Sequence, residues 1–176
     1  MIKISYDIKV YRKILGNILN EKDKVIELGC HVGKTSRLIA EKVKNGKLIC
    51  LDNSPEAIIK MNNLKLIYPK LRFINGDVRL HETLKEVTEI MGKCDILAID
   101  LGGGYHPDTV FKVYYIWAST LKPKHTIIRN KGLVDFVKTS ETYEDISSKE
   151  GWLESCGTDG IPPQIDEFKL WTPAIK

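Results

Sequence analysis

The sequence lacks the features that mark several specialised classes of protein. No stretch of its 176 residues approaches the roughly 18 unbroken apolar residues of a membrane-spanning helix. The four cysteines include no C-x-x-C pair and have no histidine cluster beside them, which argues against zinc and against a disulfide framework. The first residues lack the basic and apolar segments of a secretory signal. We therefore expect a cytoplasmic protein that has no membrane partner and keeps its thiols free and mostly buried.

Charge is nearly balanced overall but unevenly placed along the chain. Residues 1–132 carry 23 basic and 14 acidic side chains, whereas residues 133–176 carry 4 and 9. A basic excess permits RNA as an anionic partner, because Lys and Arg contact phosphates regardless of base sequence. An ordinary solvated surface explains the same excess and is favoured, because no block of consecutive like charges occurs. The sequence contains no DNA-binding motif and leaves the oligomeric state open.

Length and patterning predict one α/β domain over residues 1–176. The hydrophobic share of 43% and the charged share of 28% are typical of a globular chain with a single core. Short apolar runs alternate with amphipathic segments, which predicts a mostly parallel sheet. The predicted strands cover 25–29, 48–52, 71–74, 95–100 and 125–129. The predicted helices cover 6–19, 35–43, 81–91 and 109–121, and another begins at a capping Ser54 followed by Pro55.

A glycine-containing segment follows the first predicted strand and reads ELGCHVG over residues 27–33. Its two glycines allow a tight turn and a close approach to a ligand, with helix N–H groups facing it. Gly33-Lys34-Thr35 also resembles the end of a phosphate-binding loop, which would favour a nucleotide hydrolase. That loop needs a glycine five residues before Gly33, where this chain has Leu28, so a phosphate site is disfavoured.

Two aspartates follow the next two predicted strands. Asp52 ends the second strand, where an acidic side chain in such folds accepts hydrogen bonds from ribose hydroxyls. Asp77 follows the third strand, where its carboxylate can accept from an exocyclic amine while the N–H of Val78 donates to a ring nitrogen. The G-x-G-x-x-G pattern of dinucleotide binding is missing. An adenosyl ligand without a pyrophosphate is therefore the better fit.

These positions resemble the class I S-adenosylmethionine-dependent methyltransferases over about residues 22–132. Glu27-x-Gly29-x-x-x-Gly33 is similar to the first motif of that family, and Asp52, Asp77 and Asp100 stand where its later acidic motifs begin. The resemblance implies S-adenosyl-L-methionine as cofactor. The cofactor-binding set that we predict comprises Glu27, Gly29, Cys30, His31, Gly33, Asp52, Asn53, Asp77, Val78 and Asp100. His31 departs from the family's loop, which often has glycine there.

The same resemblance implies a doubly wound sheet with helices on both faces and a strand order of 3-2-1-4-5. Within it we expect a leading helix in residues 1–22 and a cofactor-binding core over 23–132. Beyond the core, 133–176 is expected to hold a helix beginning near 133–137. One or two antiparallel strands, at 151–154 and 167–171, are expected to follow it.

Candidate catalytic residues follow the fourth predicted strand. Asp100 is placed to hold the methionine amine or to take a proton from the acceptor, and Tyr105 or His106 to orient that acceptor. The three glycines between them equally fit a plain flexible turn, with His106 as a helix cap. Arg129 and Lys131 on the same rim fit either an anionic acceptor or a solvated surface. Asn130 with Asp100 would offer too few carboxylates for a metal, and no metal site is predicted.

The predicted function is methyl transfer to an acceptor that the sequence does not identify, either RNA or a small molecule. An Asn/Asp-Pro-Pro-Tyr/Phe motif, which the amine-methylating branches of the family carry, is missing, so methylation of a base amine is disfavoured. Two alternatives remain open. One is a noncatalytic module that binds adenosyl groups or RNA, and the other is a nucleotide hydrolase that depends on Lys34 and Thr35.

Overall fold

A six-stranded sheet organises the computed structural model, which describes residues 1–145 and 148–153. The strands are β1 (Ile2–Ser5), β2 (Lys24–Leu28), β3 (Lys47–Asp52), β4 (Leu71–Asn75), β5 (Ile96–Ile99) and β6 (His125–Arg129). The helices are α1 (Ile8–Ile18), α2 (Lys34–Lys42), α3 (Pro55–Ile67), α4 (His81–Met91), α5 (Pro107–Leu121) and α6 (Lys131–Thr139), and Gly102–Gly104 forms a short 3-10 turn. The prediction of an α/β fold with a mostly parallel sheet is confirmed.

The strand order differs from the predicted one by an added edge strand. The sheet runs β1-β6-β5-β2-β3-β4, in which the five predicted strands, β2 to β6, keep their predicted relative order and β1 is a sixth strand that was not predicted. The four residues of β1 pair in parallel with β6, from Ile2 beside Thr126 to Ser5 beside Arg129. So short a segment shows little alternation of its own, and its hydrogen bonds to β6 define it as a strand.

No antiparallel strand occurs within residues 1–145 and 148–153, where every pairing is parallel. The prediction of a strand at 151–154 is wrong for its described part. Gly151 instead packs against the start of β6, donating its N–H to Pro123 and accepting from the Thr126 hydroxyl. The second predicted antiparallel strand, at 167–171, and Cys156 lie outside the described residues.

Helices cover both faces of the sheet. Side chains of α1, α2 and α3 pack with Val25, Leu48 and Ile96 in one buried cluster. Side chains of α4, α5 and α6 pack on the other face with Ile26 and Leu97. The central strands β2, β3 and β5 are buried almost throughout, as expected of parallel strands that are covered twice.

The topology places a cleft where β2 and β5 lie side by side. From β2 the chain runs outward through β3 to β4, and from β5 it runs the opposite way through β6. Ligands of doubly wound sheets bind beyond the carboxyl ends of the strands at such a reversal. The described cysteines, Cys30, Cys50 and Cys94, are buried and unpaired, and none of the described helices has the length and apolar character needed to cross a bilayer.

Candidate functional site

A cavity of about 620 Å³ opens at the carboxyl ends of β2, β3, β4 and β5. This volume lies within the usual range for small-molecule sites. Eight of the residues predicted from the sequence line it: Gly29, His31, Asp52, Asn53, Asp77, Val78, Asp100 and His106. Four others, Glu27, Cys30, Gly33 and Tyr105, do not line it. The lining also includes Ser54, Arg79 and Arg129, so the cavity joins residues at the ends of five strands, β2 to β6.

The backbone at Gly29 comes very close to the end of β5. Its φ is +84°, and a Cβ atom there would lie 2.1 Å from the carbonyl oxygen of Asp100. Only glycine fits this position, since any side chain would push the two strand ends apart. Gly33 has a φ of +78°, and a Cβ there would lie 2.8 Å from the Met61 sulfur. It therefore serves the contact between the loop and α3 rather than the cavity surface.

Asp52 holds two loops at once. One of its carboxylate oxygens, Oδ2, accepts a 2.7 Å hydrogen bond from the backbone N–H of His31, which has a φ of +46°. The other, Oδ1, accepts from the N–H of Ser54 at 2.8 Å and from its hydroxyl at 2.5 Å. The predicted capping role of the Ser54 hydroxyl is therefore wrong, because that hydroxyl is used on Asp52 and makes no bond to α3. Asp52 fixes the glycine loop beside the cavity.

Asp77 is bound by an arginine that the sequence analysis did not single out. Arg79 donates from Nε to both carboxylate oxygens at 2.9 and 3.1 Å and from Nη2 to Oδ2 at 2.6 Å. Burial acts to raise the pKa of Asp77, but the bonds from Arg79 outweigh it and hold the pKa below its ordinary value. The Asp-x-Arg spacing over residues 77–79 was the available signal for this pair.

Glu27 lies beneath the loop rather than in the cavity. Its side chain is only 1% exposed, and Oε2 accepts a 2.5 Å hydrogen bond from the Ser36 hydroxyl and a 3.3 Å contact from the Cys50 thiol. Burial raises the pKa of Glu27 to about 7. The structure thus places this carboxyl between β2 and α2, where it ties the strand to the helix.

Asp100 and Arg129 form an ion pair inside the cavity. Nη1 of Arg129 donates to Oδ1 of Asp100 at 2.9 Å, and both side chains are less than one-fifth exposed. Burial raises the pKa of Asp100 despite the opposing effect of Arg129. The sequence places Arg129 on this rim but does not identify its partner, because the two residues come from different strands.

Tyr105 and His106 occupy different places although they are neighbours in sequence. His106 lines the cavity with a φ of +55°, and it stands at the N-cap position of α5 without a side-chain capping bond. Tyr105 is 55% exposed, and its hydroxyl lies 3.2 Å from that of Tyr6. Its carbonyl oxygen accepts a 2.6 Å bond from the amide of Asn130.

The metal-site and nucleotide-hydrolase interpretations depend on Asn130, Lys34 and Thr35, and these residues lie away from the cavity or are hydrogen-bonded to other parts of the protein. Asn130 also accepts from the N–H of Leu133 through Oδ1, so both ends of its amide are used within the protein. Among residues 1–145 and 148–153, no three His, Cys, Asp or Glu side chains gather in a way that would hold a metal ion. Lys34 and Thr35 do not line the cavity, and the Thr35 hydroxyl accepts a 3.0 Å bond from Nε of Arg12.

Comparison with protein families and curated proteins adds a family match and a partial relative. Residues 9–146 match the FtsJ-like methyltransferase family. A carboxy-S-adenosyl-L-methionine synthase from Nautilia profundicola is 42% identical over 66 residues, which are 36% of this chain and 28% of that protein.

Comparison with solved structures gives the same fold at low identity. Fibrillarin from Aeropyrum pernix, in complex with natively bound S-adenosyl-L-methionine, superposes with a TM-score of 0.51 at 16% identity over 62% of this chain and 47% of its own. An rRNA methylase from Streptococcus thermophilus superposes with a TM-score of 0.53 at 13% identity over 78% of this chain and 81% of its own. The chain thus spans less than half of the fibrillarin and less than a third of the synthase.

Proposed function

Because the chain belongs to the FtsJ-like methyltransferase family, we propose that it transfers a methyl group from S-adenosyl-L-methionine to RNA. The observation that carries this proposal is the cavity at the meeting of β2 and β5, which Gly29, Asp52, Asp77 and Asp100 line together. The family match covers the elements that supply all four residues.

The chemistry of the cavity fits an adenosyl ligand that carries a positive charge. Three carboxylates, from Asp52, Asp77 and Asp100, line it, and its arginines Arg79 and Arg129 are each paired with one of them. A triphosphate would meet these carboxylates with repulsion, whereas a sulfonium with an α-amino group would be attracted. The cavity therefore favours S-adenosyl-L-methionine over ATP and argues against the hydrolase alternative.

Within this cavity we assign three recognition roles to the chain's own residues. Asp52 accepts from the ribose hydroxyls, while Asp77 and Val78 recognise the adenine edge. The close backbone approach at Gly29 places the methionine part beside Asp100. The cofactor, when bound, supplies an electrophilic methyl group on sulfur. The protein then mainly has to align the acceptor with that group and exclude water.

We assign to Asp100 the role of accepting the proton that the acceptor loses. A hydroxyl nucleophile loses its proton as its oxygen bonds to the methyl carbon, and an arginine cannot take that proton because its guanidinium stays charged. Burial raises the pKa of Asp100, which makes its carboxylate a stronger acceptor than an exposed one. Arg129 holds this carboxylate in position from β6.

Three observations support RNA as the acceptor class. The family match is the first, and the second is the resemblance in fold to an rRNA methylase and to fibrillarin from Methanococcus jannaschii, described as a pre-rRNA processing protein. The third is the excess of basic side chains in residues 1–132, which suits a polyanion.

The test combines binding with methyl transfer. Calorimetry should show binding of S-adenosyl-L-methionine and none of ATP, and methyl-labelled cofactor should label RNA rather than protein or small-molecule fractions. Labelling of a small-molecule fraction alone would overturn the RNA assignment. Binding without transfer to any fraction would identify the noncatalytic alternative. ATP binding that is lost in Lys34→Ala would identify the hydrolase.

A further inference from the structure

Two tyrosines, Tyr6 and Tyr105, form an exposed aromatic pair beside the cavity. Their ring centroids are 6.2 Å apart with an interplanar angle of 69°, an edge-to-face arrangement, and their hydroxyls are 3.2 Å apart. Tyr6 is 38% and Tyr105 is 55% exposed. Aromatic side chains that serve only the fold are usually much more buried than this.

The pair is fixed to the protein from three sides. Nε of Arg129 donates a 2.9 Å bond to the carbonyl oxygen of Tyr6, and the amide of Asn130 donates to the carbonyl oxygen of Tyr105. Gly104 lies against the Tyr6 ring, because a Cβ atom there would be 3.2 Å from two ring carbons. The backbone under both rings is therefore held in place while more than a third of each residue stays exposed to solvent.

Arg129 connects this pair to the chemistry of the cavity. Its guanidinium carbon is 5.7 Å from the centre of the Tyr6 ring, and the same guanidinium holds Asp100. The Tyr6 ring is therefore linked, through the Arg129 side chain, to the carboxylate that we assign to the acceptor's proton. A base stacked on this ring would be separated from that carboxylate by one arginine side chain.

We propose that Tyr6 and Tyr105 form a stacking platform for an unpaired base of the acceptor RNA, an inference that rests on the proposed function. Bases of single-stranded RNA stack on exposed tyrosine rings whatever their sequence. A phosphate next to the stacked base would lie near the cationic guanidinium of Arg129. The platform therefore selects an acceptor whose target nucleotide is flanked by an unpaired base, rather than a perfect duplex.

The experiment measures binding of a random-sequence single-stranded RNA pool and of the same pool with abasic sites throughout. Tyr6→Ala and Tyr105→Ala should each weaken binding of the intact pool by about tenfold, while Tyr6→Phe and Tyr105→Phe should keep it. With the abasic pool, the Ala variants should bind like wild type. Tyr143→Ala is the matched control, since Tyr143 is 88% exposed and does not line the cavity. Thermal unfolding of every variant checks that the fold is intact.

Several results would overturn the platform. These are equal binding by wild type and the Ala variants, an equal loss in the Ala and Phe variants, or no binding of single-stranded RNA by wild type. A loss that is the same for intact and abasic pools would also overturn it, because the base would then play no part. Methyl transfer assayed on the same pools separates the two proposals. RNA that binds through the tyrosines but is not methylated would refute the proposed function and leave the platform standing.

Discussion

The two halves of the cleft are built from contacts of different range. The cofactor half comprises Gly29, Asp52 and Asp77. Here each carboxylate is bound by a residue two positions away, Ser54 for Asp52 and Arg79 for Asp77, and the longer-range bond from His31 to Asp52 spans 21 positions. The acceptor half comprises Tyr6, Asp100, Tyr105 and Arg129. Its contacts join residues 29, 99 and 123 positions apart.

The two halves therefore depend on different parts of the fold. Most contacts that hold the carboxylates of the cofactor half form as soon as the adjoining strand and helix have formed. The acceptor half exists only when β1, β5 and β6 are assembled, because each supplies or adjoins one of its residues. We expect changes in the cofactor half to alter affinity for S-adenosyl-L-methionine, and changes in the acceptor half to alter methyl transfer and RNA binding.

The largest effect should come from Asp100→Asn in the acceptor half. The amide cannot take the acceptor's proton, so methyl transfer should fall by about 10²–10⁴-fold, with a much smaller rise in the dissociation constant of S-adenosyl-L-methionine, because Asp100 is also one of the carboxylates that line its cavity. Single-turnover transfer and calorimetry on the same samples measure the two quantities. Asp95→Asn, next to the other end of β5 and bound to Lys124, should leave both unchanged. If Asp100→Asn weakened cofactor binding by as large a factor as it slowed methyl transfer, the two halves of the cleft would not be functionally separate.

A second effect concerns pH and the carboxyl beneath the cofactor half. Burial raises the pKa of Glu27 to about 7, so the native state keeps this proton to higher pH than the unfolded chain does. The stabilisation that the protonated Glu27 gives the native state is fully present below about pH 4. It is lost as the pH rises through about 7, and the free energy of unfolding falls by about 3 kcal/mol. Urea unfolding measures the free energy of unfolding at about pH 5 and at about pH 8. The decrease between these two pH values should be smaller in Glu27→Gln than in wild type by this amount. Equal losses would show that Glu27 ionises normally.

Gly29→Ala tests the close approach that joins the two halves. A Cβ atom 2.1 Å from the Asp100 carbonyl, at a positive φ, should destabilise the protein by about 2 kcal/mol or more. In the control Gly16→Ala, the new Cβ meets no heavy atom within 4 Å in the described part of the chain. That variant should gain about 0.5–1 kcal/mol, because alanine favours a helix interior. Denaturant unfolding measures both, and similar effects at the two glycines would contradict the close contact.

The smallest effect is expected for Asp52→Asn. The amide keeps the shape of the side chain but weakens its bonds to His31 and to the ribose, so the dissociation constant of S-adenosyl-L-methionine should rise by about tenfold. RNA binding should not change. Calorimetry and RNA titration check the two halves independently. A loss of RNA binding in this variant would show that the halves are coupled through the glycine loop.

The parts of the molecule that the sequence predicted are those determined by local patterns. Buried apolar runs such as 48–52 and the helix at 81–91 were predictable, because strand and helix periodicities are visible within a few residues. Asp52 and Asp77 were found in the same way, since Asp52 ends one such run and Asp77 comes three residues after another. These positions did not require knowledge of which strands are neighbours.

What could not be predicted depends on pairing between distant segments. Residues 2–5 form a strand because they pair with the otherwise open edge of β6. Four residues are too few for a sequence pattern to predict that pairing. Tyr6 became a site candidate only once it lay beside Tyr105, and Arg129, which the sequence placed on the rim, was given a partner only by the structure, in Asp100. Arg79 is the exception, since its spacing from Asp77 was available and went unused.

The edge position of β1 has a consequence for how the protein folds during synthesis. Its residues leave the ribosome well before their partners in β6, which emerge more than 120 residues later. Until then β1 has no strand to pair with, and such a long-range pairing is slow to form. The nascent chain is thus expected to hold its cofactor loops in native form before the tyrosine beside β1 reaches its place. Competence to bind RNA would then follow competence to bind the cofactor.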